Sequence, residues 1–400
     1  MNRARLAVIG AGTMGAGIAQ VALEGGWDVV LNDPVASAVD AARKRIAAGL
    51  ERRAARAAPD PAQREAFVAG HLARLASAHS PGAAAEGAQL VIEAVLEELE
   101  LKQALFADLD AAAGAETILA TNTSALSVTK IAEAAALPER VVGLHFFNPA
   151  PVLPLVEVVA GRRSAQWAVE QAAAIVEGWG KTAIRVTDAP GFIVNRVNRP
   201  FTLESLRLLR SGAGSIETID AALVDAGFPM GPFSLMDLIG IDINLAAARG
   251  LFEAFDRPPR FRPSPIQEQL VAASRLGRKS GEGFYRYAEG RATGPASRFA
   301  GDPPTTGPGA AARLDGPAIA ERVILAIANE AYRAAGDGVA APDDIDRAMR
   351  LGANHPFGPF EWVERTGVHE VVVMLDALSD EDADTFRPAL PLLRAAKAAM

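Results

Sequence analysis

The sequence predicts a parallel α/β domain followed by two copies of an all-α module, and three observations predict it. Short, continuously apolar runs alternate with helical patterns through the N-terminal half, as in strands covered on both faces. A glycine-rich turn joins the first of these runs to the helix after it. In the C-terminal half one helical pattern occurs twice at a nearly constant offset.

Composition sets the frame. A chain of 400 residues, half of them apolar, exceeds one core and implies two or three domains. The net charge of -8, with Lys and Arg interspersed among Asp and Glu, argues against a general nucleic-acid binder. With no cysteine, disulfides, thiolate metal sites and a cysteine nucleophile are excluded. No apolar stretch reaches the roughly 20 residues of a membrane span, and the chain enters a strand pattern at once, which argues against a signal peptide. The default compartment is the cytoplasm.

Residues 5–9 form the first apolar run, Gly10, Gly12 and Gly15 follow it, residues 16–23 are good helix formers, and residues 28–33 read as a second strand ending on Asp33. Glycine has a physical reason at each place: a tight turn, backbone approach to a pyrophosphate, and close helix–strand packing. The free N–H groups of the helix N-terminus then hold the anion. Asp33 lies 18 residues after Gly15 (33 − 15), near the spacing at which a carboxylate accepts both ribose hydroxyls, which favours NAD over NADP.

Ala41 to Arg56 and Asp60 to Leu75 read as helices, the first carrying Arg43, Lys44, Arg45, Arg52, Arg53 and Arg56. Such a cluster is either a solvated face or a grip on a polyanionic handle such as the phosphates of coenzyme A. Three more buried strands follow at residues 89–95, 118–122 and 141–147, with Glu97, Asn122, Ser124, His145 and Asn148 at or beyond their C-terminal ends, where open parallel sheets bind ligands. Glu97 alone could be a helix-starting acid. Ser124 could equally cap the helix expected over Ser127 to Ala134.

His145 is the sharper candidate. Glu157 follows it by twelve residues (157 − 145) in the strand Leu155 to Val159, and Pro149, Pro151 and Pro154 between them force extended or turning backbone. A return of the chain would set the carboxylate beside the imidazole, fix its tautomer and leave the other nitrogen free as a base. That is what removal of an alcohol proton needs as hydride leaves the same carbon. Ser124 lacks the spacing of a hydrolase nucleophile, and the five histidines lack metal-ligand spacing.

In order and spelling, Thr121 to Ser124, Gly143 to Pro149 with Glu157, and Gly191 to Arg196 resemble the L-3-hydroxyacyl-CoA dehydrogenase family, from the first residues to about Tyr287. The resemblance implies a Rossmann-type NAD-binding domain and a helical domain, and oxidation of an L-3-hydroxyacyl-CoA to the 3-oxoacyl-CoA. It implies His145 as base, Glu157 as its orienting carboxylate, and Ser124 with Asn195 as polarising groups. Gly10, Gly12, Met14, Gly15 and Asp33 would bind NAD, joined by Glu97, Lys102, Asn122, Ser124, Asn148 and, in the stretch Gly277 to Tyr285, Lys279. Coenzyme A would meet Arg52, Arg53 and Arg56. Where the family's contacts include a serine and a lysine, this chain has Gly49 and Arg56.

The internal repeat sets Asp220, Gly231 and Phe261 against Asp346, Gly358 and Phe386, at offsets of 126, 127 and 125 (346 − 220, 358 − 231, 386 − 261). The domains expected are 1–187 for NAD with an inserted helical pair, 188–287 for the first helical copy, 288–315 as a Gly/Pro-rich linker, and 316–400 for a second copy with a structural role. No asparagine stands near Glu321 and Arg322, where the second copy would carry the counterpart of Asn195. By resemblance, that copy would cover in cis the face that a partner subunit covers, as a pseudo-dimer, with further homo-oligomerisation open. No stretch remains for a hydratase domain. Two rivals share the motifs: a dehydrogenase of a free hydroxy acid or sugar acid, of the gulonate dehydrogenase and lambda-crystallin kind, and a non-catalytic NAD-binding relative.

Overall fold

A computed structural model describes residues 3–57, 60–299 and 312–399 and divides the chain into two compact units, Met1–Phe192 and Ile193–Met400. In the first, strands β1 (Arg5–Ile9), β2 (Asp28–Asn32), β3 (Leu75–Ser77), β4 (Leu90–Glu93), β5 (Ile118–Thr121), β6 (Val141–Phe146), β7 (Leu155–Ala160) and β8 (Thr182–Thr187) form one sheet in the order β3-β2-β1-β4-β5-β6-β7-β8. All neighbours are parallel except β6 and β7. The reversal at β1 between β2 and β4 opens the crevice in which doubly wound sheets bind dinucleotides.

The apolar runs are strands because both faces are covered: Leu6, Val8, Val29, Leu90, Ile92, Leu144 and Val156 are all fully buried. The loop 147–154 is too short for a crossover helix, so β7 must return antiparallel to β6. Two sequence boundaries shift. The second inserted helix runs Pro61–Leu72 rather than to Leu75, because Leu75 is buried as the first residue of the edge strand β3, parallel to β2. Residues 188–192 belong with the first unit: the Asp188 carboxylate accepts Ser127 Oγ (2.7 Å) and the amides of Val128 and Thr129 (3.1 and 2.8 Å). The chain leaves that unit through left-handed residues at Gly191 and Phe192 (φ 73° and 50°).

The second unit is helical. Helices Ile216–Asp225, Pro232–Ile239, Ile241–Ala254 and Pro265–Ala272 recur, about 126 residues on, as Pro342–Ala353, Pro359–Thr366, Val368–Ser379 and Leu390–Ala398. The repeated Asp and Gly-Pro-Phe have one local explanation. Asp220 accepts the amides of Phe233 and Ser234 (2.8 and 3.1 Å), and Asp346 accepts those of Phe360 and Glu361 (2.8 and 2.9 Å), so each aspartate caps the first turn of a neighbouring helix. A Cβ at Gly231 or Gly358 would overlap the side chain of its aspartate, which is why glycine stands there. Proline then fills N1, where no N–H is missed.

Burial pushes the Asp346 carboxyl up to about 6, against backbone donors that lower it. An unfolded aspartate titrates near about 3.9, so the folded state holds this proton more tightly, and the group's contribution to stability falls as pH rises from about 4 through about 6. The Asp346→Asn variant is therefore expected to gain on the wild type in Tm as pH is raised across that window; a difference independent of pH would contradict this.

The linker expected over 288–315 is partly structured. Tyr285–Ala288 (β9) pairs antiparallel with Arg291–Pro295 (β10), across Glu289 and Gly290, both left-handed (φ 48° and 75°) as a tight hairpin demands. Residues 300–311 of that stretch lie outside the described residues. A 21-residue helix, Gly316–Gly336, opens the second copy with Asp315 as its cap. In the first copy the matching helix is broken into Val194–Val197 and Arg199–Ser211 by Pro200, which cannot donate to the carbonyl of Arg196. These two copies are stitched reciprocally. Arg196 donates to Glu330 at 2.7 Å and Arg322 to Glu204 at 2.6 Å; each arginine–glutamate pair maps on the other by 126 residues (322 − 196, 330 − 204). Both glutamates are buried.

Candidate active site

At the C-terminal end of β1 the three glycines answer to different constraints. Gly10 has φ 104°, and a Cβ there would lie 2.5 Å from the carbonyl oxygen of Ala94. At Gly15 a Cβ would lie 1.8 Å from the Gly10 carbonyl oxygen, so turn and helix can touch only through glycine. A Cβ at Gly12 would meet no protein atom within 4 Å, so nothing in the fold requires glycine there. Gly12 also caps helix Thr13–Glu24 without a side-chain bond, which leaves donors at the helix start for an anion. Asp33, just beyond β2, accepts the amides of Ala11 (2.8 Å) and Val35 (2.9 Å) and so stands over the same turn. These residues fit a dinucleotide with a free ribose diol. Met14 is half-buried against the core of this unit, and Asn148 is exposed beyond β6.

His145 and Glu157 are directly opposed in the β6–β7 register, on one face of the sheet. His145 Nδ1 lies 2.6 Å from Glu157 Oε2, with His145 6% exposed and Glu157 fully buried. With Nδ1–H donated to the carboxylate, Nε2 is the acceptor of the ring. The rings of Phe147 and Phe192 pack at 4.4 and 5.7 Å, giving this pair an apolar wall. Such an arrangement takes up a proton at Nε2 and balances the resulting cation with a buried anion.

Glu97 gathers the Thr123–Ala125 loop: its Oε1 accepts Thr123 Oγ1 (2.6 Å), the amides of Ser124 (2.8 Å) and Ala125 (3.1 Å), and Ser124 Oγ at 3.3 Å. Burial works against its charge, but the Lys102 ammonium, the Thr123 hydroxyl and the Ser124 amide outweigh it and hold the carboxyl below the usual range. The helix cap foreseen as an alternative for Ser124 is made instead by Ser127, whose Oγ accepts the amide of Lys130.

Lys102, expected on the cofactor side, is buried among carboxylates. Its side chain is 1% exposed, with Nζ 2.5 Å from Glu93 and 3.3 Å from Glu97. Glu93, which sequence reasoning missed, is fully buried and also accepts Val95 N and Thr121 Oγ1, both at 2.7 Å. The available signal was an acid inside the apolar run 89–95. Asn122 Oδ1 accepts the amide of Phe146 (2.9 Å), tying the ends of β5 and β6 together.

Arg52, Arg53 and Arg56 flank a cavity of about 480 Å³ that Gln20, Gly49 and Pro151 also line. Arg53 reaches Glu24 at 3.5 Å. At Gly49 the amide end of the Gln20 side chain occupies the space that a Cβ would take. Asn195 and Lys279 belong to the second unit. Asn195 stands on helix Val194–Val197, and Lys279 pairs with Asp242 at 2.6 Å. Among the described residues no group of three or more His, Asp or Glu is placed to hold a metal. Among the same described residues no helix is long and apolar enough to cross a membrane.

Against known proteins, residues 5–189 match the family model of the 3-hydroxyacyl-CoA dehydrogenase NAD-binding domain, and residues 191–287 and 319–399 match that of the C-terminal domain. The chain is 37% identical to a 3-hydroxyadipyl-CoA dehydrogenase of Escherichia coli (strain K12), over 97% of this chain and 96% of that one. It is 42% identical to the mitochondrial hydroxyacyl-coenzyme A dehydrogenase of Rattus norvegicus, over 70% and 90%. A crystal structure of 3-hydroxybutyryl-CoA dehydrogenase from Escherichia coli K12 superposes with a TM-score of 0.89 at 38% identity, covering 100% of this chain and 99% of that one.

Proposed function

This chain belongs to the 3-hydroxyacyl-CoA dehydrogenase family, and from that premise we propose that it oxidises L-3-hydroxyacyl-CoA to 3-oxoacyl-CoA with NAD, reversibly. The observation that carries the reading is the buried 2.6 Å pair of His145 and Glu157. NAD, when bound, accepts the hydride. His145 Nε2 takes the hydroxyl proton from the same carbon, Glu157 balances the imidazolium, and Ser124 and Asn195 polarise the reacting oxygen. Gly12 and the helix start hold the pyrophosphate and Asp33 the ribose. Glu97, Lys102, Asn122, Asn148 and Lys279 are assigned to the cofactor side, and Glu97, backed by Lys102 and Glu93, also holds the loop of Ser124 in place.

Residues 316–400 stand, in this reading, where a partner subunit's helical domain would stand; the reciprocal Arg196–Glu330 and Arg322–Glu204 pairs support a pseudo-dimer, since a two-fold interface pairs i with j and j with i. A cytoplasmic location is part of the same reading. Relatives named for monocarboxylic and dicarboxylic acyl chains are equally compatible with it.

Consumption of NADH with acetoacetyl-CoA, beside free acetoacetate, tests the activity. Turnover of the thioester alone supports it; turnover of the free acid alone would favour a hydroxy-acid dehydrogenase, and NAD binding without turnover a non-catalytic relative. The Arg52, Arg53 and Arg56 cluster gives a second check. Alanine at all three is expected to raise KM for the acyl-CoA by about tenfold or more, with kcat and NAD affinity little changed, because the lost contacts serve ground and transition state alike. An unchanged KM would return these arginines to the solvated face.

A further inference from the structure

Three arginines are buried among the described residues, and one of them has no partner. Arg140 is paired with Asp110, and Arg196 with Glu330 and Asp337. Arg199, only 6% exposed, makes no ion pair and no side-chain hydrogen bond, and its Nε is buried without an acceptor. A buried cation without a counter-charge is costly, so a fold keeps one where an anion completes it. Burial alone lowers its pKa, to about 10, which leaves it charged at neutral pH.

The position of Arg199 indicates which anion. It lies four residues after Asn195, and Asn198 between them keeps right-handed helical backbone (φ −80°, ψ −8°) with its N–H bonded to the carbonyl of Val194, so the turn that carries Asn195 reaches Arg199 just before Pro200. Residues spaced by four share a helix face with their Cβ atoms about 5–6 Å apart. With Asn195 at the reacting oxygen, a residue one turn away on the same helical segment is within a few carbon–carbon bonds of the carbon that carries that oxygen. A planar guanidinium fork recognises a carboxylate through two parallel bonds.

We propose that Arg199 is the specificity-determining residue for the acyl tail, and that the preferred substrate is a short L-3-hydroxyacyl-CoA whose chain ends in a carboxylate. The inference rests on the dehydrogenase reading and on the assignment of Asn195. An apolar tail in the same place leaves the guanidinium unpaired, and sites built to pair a polar group discriminate strongly against substrates lacking its partner.

The test compares kcat/KM for L-3-hydroxyadipyl-CoA and L-3-hydroxyhexanoyl-CoA, equal in carbon count and differing in the terminal carboxylate. The wild type is expected to favour the diacid by at least about 100-fold. Arg199→Met, of similar length and apolar, is expected to abolish that preference while keeping or raising the rate on the hexanoyl thioester, with NAD affinity unchanged. Removal of an unpaired buried charge should not lower Tm. Equal use of both thioesters by the wild type overturns the proposal without a variant, as does a methionine variant that slows both alike. Should the methionine variant not fold, Arg199→Lys keeps the charge and loses the fork, and an unaltered ratio in it argues against carboxylate recognition. If neither thioester is oxidised, the dehydrogenase reading itself has failed, an outcome distinct from oxidation without preference.

Discussion

Glutamine in place of His145 is expected to lower kcat by about 10²–10⁴-fold while NAD still binds. Glutamine can still donate a hydrogen bond to Glu157, but it has no nitrogen that takes up a proton. Glu157→Gln should fall by a comparable factor, since the buried imidazolium then loses its balancing charge and the ring its fixed tautomer. Single-turnover measurement of NADH formation, with NAD affinity measured in parallel, separates the chemical step from binding. A variant that keeps the full rate removes its residue from the mechanism. The double variant should be little worse than either single one, because the two side chains act as a unit.

The second large effect falls on a residue with no assigned chemistry. Glu93→Ala strands the Lys102 ammonium, 1% exposed, beside Glu97 alone, and one-sided loss of a buried pair costs about 3–5 kcal/mol. At about 2–4 °C per kcal/mol for a unit of this size, Tm should drop by about 6–20 °C. Glu93→Leu combined with Lys102→Met should recover much of the stability, since a buried pair replaced by apolar side chains is often neutral. It should not recover the rate, because Glu97, which holds the Ser124 loop, then loses the cation that favours its charged form. A double variant with full kcat would reduce Lys102 to packing. So would a Glu93→Ala protein with unchanged Tm.

The sequence carried the glycine turn, the sheet and the His145–Glu157 pair because each follows from local rules: a continuous apolar run is a strand buried on both faces, and a proline-rich loop too short for a helix forces the next strand back. It carried the paired helical modules because the repeat keeps the aspartate and glycine whose contact defines the turn. What it hid depended on partners distant along the chain. Glu93 reads as one acid in an apolar run until Thr121 and Lys102 surround it. The β9–β10 hairpin has the glycine and proline content of a linker, and only its cross-strand pairing separates the two. Leu75 reads equally well as the last turn of a helix or the first residue of an edge strand, and the open edge of β2 decided between them. Arg199 follows Asn195 closely enough to look like one more solvated cation.

The reciprocal pairs Arg196–Glu330 and Arg322–Glu204 also bear on concentration and on drift. Two separate subunits joined by such an interface come apart on dilution, and their folded fraction depends on how much protein is present. Joined in one chain, the two faces meet at a fixed effective concentration, so this interface has no dissociation constant for the cell to satisfy. Two identical halves must also change together, since every substitution appears twice. Here they are free to differ: Asn195 survives in one copy, Glu321 occupies its place in the other, and the proline that breaks the first helix has become Ala326 in an unbroken one.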